Sequence, residues 1–234
     1  MKNSYVYIIS VNTIKLPLRQ RKLAQTRLGL LRAAVAAIDS APLEAVSVRS
    51  LCEAVGISEA GFFNYFPKKT DLLVYFIQIW SLEMAWHAER LARDKGGLAA
   101  IAGIFTLTAR QVAEHPGVMA EIIAHQARTS EVPAMRELTT AEHLLAFPHL
   151  DGIENVRGAG LESLIPPLLE QAVERRELPA TLDRRQALLA IAAVFFGVPT
   201  TLRRLDAKTL EALYLQQLEI VWAGLRALAP GRKR

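Results

Sequence analysis

Between Val46 and Leu73 the chain reads VSVRSLCEAVGISEAGFFNYFPKKTDLL, which sets Ser47 and Ser58, a glycine at Gly56, an aromatic cluster and a lysine pair at fixed distances. These residue types are suited to recognition rather than to bond making. Lys69 falls at the head of an expected helix, where its ammonium and the nearby backbone N–H groups can together meet a phosphate. Ser47 and Ser58 each precede a short apolar run and suit N-caps. With Gly56 as a turn, Leu51 and Cys52 stand five and four residues before it and Phe62 six after. Two short helices crossing steeply about a glycine need a small side chain where their backbones approach, and Cys52 supplies it. Leu51, Val55, Ile57 and Phe62 interlock behind. This is the pattern of a helix-turn-helix, although a tight helical hairpin of any purpose can also show a glycine among periodic apolar residues.

The elements that position this stretch read as helices throughout. Leu28, Leu31, Val35 and Ile38 recur at helical spacing in a helix expected to end at Pro42. Pro67 breaks the chain before a long amphipathic segment over 69–92. Further helices are expected over 98–114, 117–129, 133–146, 161–176, 184–203 and 208–228, separated by the breaks HPG, FPHLDG and ELPATLD. Sustained strand alternation and fixed-period repeats are both lacking, so the fold class is all-α.

Composition narrows the function. The chain has 234 residues, 51% of them hydrophobic, with a formal net charge of +5. Residues 1–70 hold ten Lys and Arg against four Asp and Glu, a net of +6; residues 71–234 hold 18 against 19, a net of −1. A basic first third points to a polyanion met by one part of the chain only. The single cysteine, Cys52, permits no intrachain disulfide and favours a reducing compartment. Tyr5 to Val11 is apolar but too short to span a bilayer and lacks a small-x-small cleavage site, so a cytoplasmic protein with an N-terminal extension is expected.

The stretch GISEAGFFNYFPKKTDLL resembles the signature of the TetR family of transcriptional regulators, and the likeness runs without gaps from Arg27 to Leu73. LLEQAVERRELPATLDRRQALLAIAAVFFGV is similar to the weaker family pattern leading into the dimerising helices. There are departures: Ala60 stands where the family usually has glycine, Gly61 where it has a threonine that meets the DNA backbone, Phe63 where it has tyrosine, and Pro42 where it has glycine. The resemblance implies a three-helix DNA-binding domain with a helix-turn-helix, followed by a larger helical domain for ligand and dimer. The expected division is an extension at 1–20, the DNA-binding domain at 21–73 and the ligand-binding and dimerisation domain at 74–234. It also implies a double-stranded DNA operator, a homodimer and a small hydrophobic effector as partners, with no membrane, no cofactor and no metal.

The expected DNA-contacting set is Ser47, Arg49, Ser58, Glu59, Ala60, Gly61, Phe63, Asn64, Tyr65 and Lys69. Asn64 and Glu59 can read adenine and cytosine edges, and Phe63 can pack on a sugar or a thymine methyl. Tyr65 can reach a phosphate through its hydroxyl, and Gly61 can contribute only backbone. Phe62 and Phe66 are expected in the core. Trp86, Phe105, His125 and Phe147 are candidates for a ligand pocket. His87, His115, His125, His143 and His149 form no H-x-x-x-H pair.

The segments ALLAIAAVFFGV and LYLQQLEIVWAGL are apolar around much of their circumference, which suits a dimer interface near 184–203 and 208–228. The alternatives are a helical-bundle enzyme and an architectural DNA-binding protein without effector. Di-iron bundles need Glu-x-x-His motifs, and neither these nor a nucleophile elbow nor a Walker loop occurs here, so no enzyme is expected. An architectural protein has no need of 160 residues of apolar helical domain.

Overall fold

The structure, a computed structural model, describes residues 16–128, 136–202 and 206–228. Ten helices and two short 3-10 turns account for its regular elements, and the described residues contain no strand. The apolar run at residues 5–11 lies outside them, and so does the expected extension as far as residue 15.

Helix α1 (Leu18–Ile38) buries Leu28, Leu31 and Ile38 as the periodicity requires, with Val35 half-buried. It stops at Ile38, short of the expected end at Pro42. Proline disfavours helical backbone at the residue before it, and the chain leaves α1 with Ser40 and Ala41 N–H both donating to the Ala37 carbonyl. Pro42 instead opens a 3-10 turn, Leu43–Ala45. Helix α2 (Val48–Val55) ends at Gly56, whose φ of 72° lies in the left-handed region that glycine adopts without strain. Helix α3 (Glu59–Tyr65) follows after two residues and buries Phe62.

Helix α4 (Asp71–Lys95) is 25 residues long, about 37 Å at 1.5 Å per residue. It is buried on more than one face, with Leu72, Leu73, Val74 and Tyr75 all enclosed, where a single apolar stripe was expected. The reason is its position. It packs against α1 on one side and, on the others, against α5 (Gly97–Glu114), α6 (Pro116–Arg128), α7 (Thr140–Ala146) and α8 (Leu161–Glu174). The bundle closes with α9 (Arg184–Thr201) and α10 (Ala207–Ala227), each started by an aspartate N-cap, Asp183 and Asp206. The helix expected over 133–146 is seen as α7, which begins only at Thr140 because Thr139 and Glu142 form a capping box. Among the described residues no helix is long and apolar enough to cross a membrane.

Three apolar clusters result. One gathers α1, α2, α3 and the start of α4 around Phe62, Phe66 and Leu51. The largest fills the bundle around Phe105, Phe195, Tyr214 and Trp222. A small one joins them, made by Ile38, Leu43, Leu73, Val118 and Ile122.

Beside these clusters runs a buried polar junction. Glu142 on α7 is wholly enclosed, and its Oε1 accepts a hydrogen bond from the Tyr75 hydroxyl at 2.9 Å. Arg136 pairs with the same oxygen. Arg27 on α1 brings Nε to 3.1 Å from it, an ionic contact not aimed as a hydrogen bond. Oε2 accepts from Thr139 N–H and hydroxyl, both at 2.9 Å. The Arg27 guanidinium also lies over the rings of Phe66 and Tyr75, 4.6 and 4.5 Å from their centres. Burial lowers its pKa from the usual arginine range and raises that of the Tyr75 phenol, the latter reinforced by Glu142. Removing the carboxylate leaves two guanidiniums facing each other without their counter-ion. Glu142→Ala is therefore expected to cost about 3–5 kcal/mol, measured as the change in unfolding free energy from urea titration.

Candidate nucleic-acid interface and internal cavity

The helix-turn-helix is built by its caps. Ser47 Oγ accepts from Ser50 N–H at 3.0 Å and starts α2; Ser58 Oγ accepts from Gly61 N–H at 3.1 Å and starts α3. Between them, the N–H groups of Gly56 and Ile57 both turn back to the Cys52 carbonyl. Cys52 and Leu51 are buried where α1 crosses α2. This crossing is closer than the periodicity of α1 alone suggests: a Cβ added to Gly29 would lie 2.5 Å from Val55 Cγ1. Gly29 is thus a positioning residue that sequence reasoning missed, legible only as a glycine inside an otherwise strong helix.

Phe62 and Phe66 anchor α3 from below, 0% and 1% exposed, and Phe66 leans on Tyr75 of α4. The opposite face of α3 is open. Glu59, Ala60, Phe63 and Asn64 all face solvent, with Phe63 49% exposed despite its size, and Gly61 and Tyr65 are half-buried at the edges. Gly61 has ordinary helical backbone; a Cβ there would sit 3.3 Å from Ser58 Oγ, so a larger residue presses on the cap. The Tyr65 carbonyl accepts from Arg27 Nη1 at 3.4 Å, which ties the end of α3 to the buried junction. Arg49, also exposed, pairs along α2 with Glu53 at 2.9 Å.

Lys69 stands before α4 rather than in it, and its ammonium is already engaged. It donates to the carbonyls of Glu44 at 2.8 Å and Val46 at 2.7 Å, holding the 3-10 turn against the start of α4. One of its three N–H donors remains for another acceptor. Lys68, beside it, is exposed.

The second feature is a cavity of about 910 Å³ between α1, α4, α5, α6, α8 and α9. Its walls include Val35 of α1, Phe76 and Trp80 of α4, Met119 of α6 and Phe195 and Phe196 of α9. His125 and Phe147 line it. Trp86 and Phe105 do not: Phe105 is fully buried, edge-on to Phe195 and Tyr214, and belongs to the core. Trp86 is turned outward, donating Nε1–H to the Asp151 carbonyl at 2.9 Å under the stacked guanidinium of Arg90. The polar groups on the cavity wall that sequence reasoning missed are Glu83 and Gln111. Gln111 Nε2 donates to Glu83 Oε2 at 2.7 Å. Of the other histidines, His115 pairs with Asp39 at 2.7 Å and His143 donates to the Ile153 carbonyl at 3.0 Å.

Residues 30–76 match the family model described as bacterial regulatory proteins, tetR family. The match covers the second half of α1, all of α2 and α3, and the start of α4. Residues 30–76 thus carry a tetR-family helix-turn-helix. Solved structures extend the likeness over the larger half. A TetR transcriptional regulator from Rhodococcus sp. RHA1 superposes with a TM-score of 0.51 at 14% identity, over 88% of this chain and 99% of that one. FadR from Bacillus subtilis, solved with stearoyl-CoA, gives 0.56 at 17% identity over 84% and 98%. RolR, solved with resorcinol, gives 0.55 at 16% identity over 91% and 96%. At these identities the structures establish the fold of the larger half and nothing finer. The comparison with curated proteins gave no match.

Burial raises the Glu83 carboxyl above its ordinary value of 4.5, opposed by the Gln111 hydrogen bond and by His149. A raised carboxyl in the folded state means that its neutral form stabilises the fold. That contribution is complete below pH 4.5 and is lost as the pH rises through the folded-state value. Glu83→Gln keeps a partner for Gln111 without a charge. The variant is expected to unfold above the wild type at neutral pH, by on the order of 2 °C, and the margin should shrink toward zero as the pH falls below 4.5, followed by calorimetry across pH.

Proposed function

We propose that this chain is a ligand-responsive DNA-binding transcriptional regulator, most simply a repressor, that grips a palindromic operator as a homodimer and is released by a small, mainly apolar effector. The observation that carries the reading is the open face of α3, Glu59, Ala60, Phe63 and Asn64, held outward on a TetR-family helix-turn-helix by Phe62 and Phe66.

In this reading α3 enters the major groove. Asn64 and Glu59 face base edges, Phe63 packs on a sugar or thymine methyl, and Ser47, Arg49, Ser58, Tyr65 and Lys69 lie along phosphates, with Ala60 and Gly61 admitting the backbone closely. Lys69 serves twice, two donors on the 3-10 turn and the third on a phosphate. The basic balance of residues 1–70 supports the same partner.

A dimer supplies two such helices about 34 Å apart, one turn of DNA. The support is on α9 and α10. Their inner faces bury Ile191, Phe195, Tyr214 and Leu218, while Ile220 stays 59% exposed on the outside of α10. Gly197 and Gly224 open onto space where an added Cβ would touch nothing within 4 Å, which lets a second backbone approach. The effector site is the cavity, in keeping with similar structures solved in complex with stearoyl-CoA and with resorcinol.

Two measurements test the reading. On specific and scrambled duplexes, Asn64→Ala should change the order of preference, whereas Lys69→Ala should weaken every duplex alike and reduce the salt slope by about 0.9; equal behaviour of the two variants removes the groove assignment. Light scattering should give twice the chain mass at micromolar concentration, and Ile220→Glu should halve it. A monomer in the unsubstituted protein excludes the operator geometry.

A further inference from the structure

We infer that the cavity selects an apolar or aromatic molecule that carries a cationic head, such as a protonated amine, with the Glu83 carboxylate as its counter-ion. This rests on the reading of the cavity as an effector site and names the chemistry of what enters.

The chain as a whole is basic, yet the cavity wall carries three carboxylates, Glu83, Glu114 and Glu162, against the guanidinium of Arg32 and the imidazoles of His115, paired with Asp39, and His125. Glu83 is the one of these that helix packing has turned away from water. It lies midway along α4, and its Oε2 is taken by Gln111. Among the described residues its Oε1 accepts no hydrogen bond, and no lysine or arginine pairs with it. His149 is the one basic group whose charge bears on it.

A half-buried carboxylate with one neutral partner is costly unless something cationic completes it. A ligand ammonium would do so. The same wall supplies the remainder of the recognition: Phe76, Trp80, Phe147, Phe195 and Phe196 offer ring faces and edges to an apolar body, and ring faces also attract a cation. A volume of about 910 Å³ suits a molecule well beyond the size of a simple amine, so the head would occupy one end only. A ligand with an anionic head meets the opposite situation, since it would set a second negative charge beside an unpaired carboxylate.

The test uses three molecules with one body and different heads: phenylbutylamine, phenylbutanol and phenylbutyrate, titrated calorimetrically into the full-length protein at neutral pH. The amine is expected to bind about tenfold more tightly than the alcohol, the worth of one charge-assisted hydrogen bond, with the carboxylate weakest. Glu83→Gln should bring amine and alcohol to within about threefold of each other while leaving the affinity for the alcohol as it was, which also shows that the variant is folded. Equal binding of all three, or an amine preference that survives Glu83→Gln, overturns the ligand class and leaves the cavity an effector site. Failure of all three to bind at millimolar concentration overturns the effector reading itself, and the ligand class with it.

Discussion

The Glu142 carboxylate is the point on which the two halves of this molecule are joined. A charge enclosed in protein is tolerated only where its surroundings replace water, and here they do so from three directions at once. Arg27 comes from α1, Tyr75 from α4 and Arg136 from the segment before α7, while Thr139 caps the same side chain from its own helix. Because Arg27 and Glu142 are both enclosed and separating them would bury each charge without its counter-ion, the angle between α1 and α7 is fixed more sharply than apolar packing would fix it. Apolar contacts slide; a carboxylate shared by two guanidiniums and a phenol has one arrangement.

That arrangement reaches the helix-turn-helix by a short path. Arg27 touches Glu142 with one nitrogen, donates to the Tyr65 carbonyl at the end of α3 with another, and lies over the rings of Phe66 and Tyr75. One to two turns further along the same helix, Leu31, Arg32 and Val35 form part of the cavity wall. Helix α4 repeats the pattern, with Tyr75 in the junction and Phe76, Trp80 and Glu83 at the cavity. The helices that would feel a bound molecule are therefore the ones that hold α3 in place.

Much of this was legible from residue order and some of it was not. Proline, glycine and serine mark local events, so the caps at Ser47 and Ser58, the turn at Gly56 and the extent of most helices follow from the chain alone. Phe62 and Phe66 share one face at four-residue spacing, and the outward place of Phe63 follows from the resemblance to the family's signature. What depends on how distant helices dock was hidden. Glu83 and Gln111 are 28 residues apart on two helices, and nothing in either helix states the register in which they meet. The same ignorance misplaced Trp86 and Phe105: both are aromatics on apolar segments, but one rotates out beneath Arg90 and the other into the core. Glu142 left a trace in its capping box, Thr139 to Glu142, which a helix expected to begin at 133 obscured.

On the proposed reading, the arrangement also limits how a ligand can act. A molecule shifts an equilibrium only by binding one state better than the other, so filling a preformed cavity without altering its walls would stabilise the protein and leave DNA affinity untouched. Release requires a wall to move, and the walls differ in what movement costs. The apolar contacts of α9 can slide past the ligand cheaply. Displacing α1 relative to α4 strains the junction at Glu142, whose geometry is fixed by charge, and that displacement is also the one that tilts α3. The ion pair thus sets the threshold: weak enough contacts elsewhere absorb a small ligand silently, and only a ligand large enough to press on α1 and α4 together reaches the DNA-facing helix.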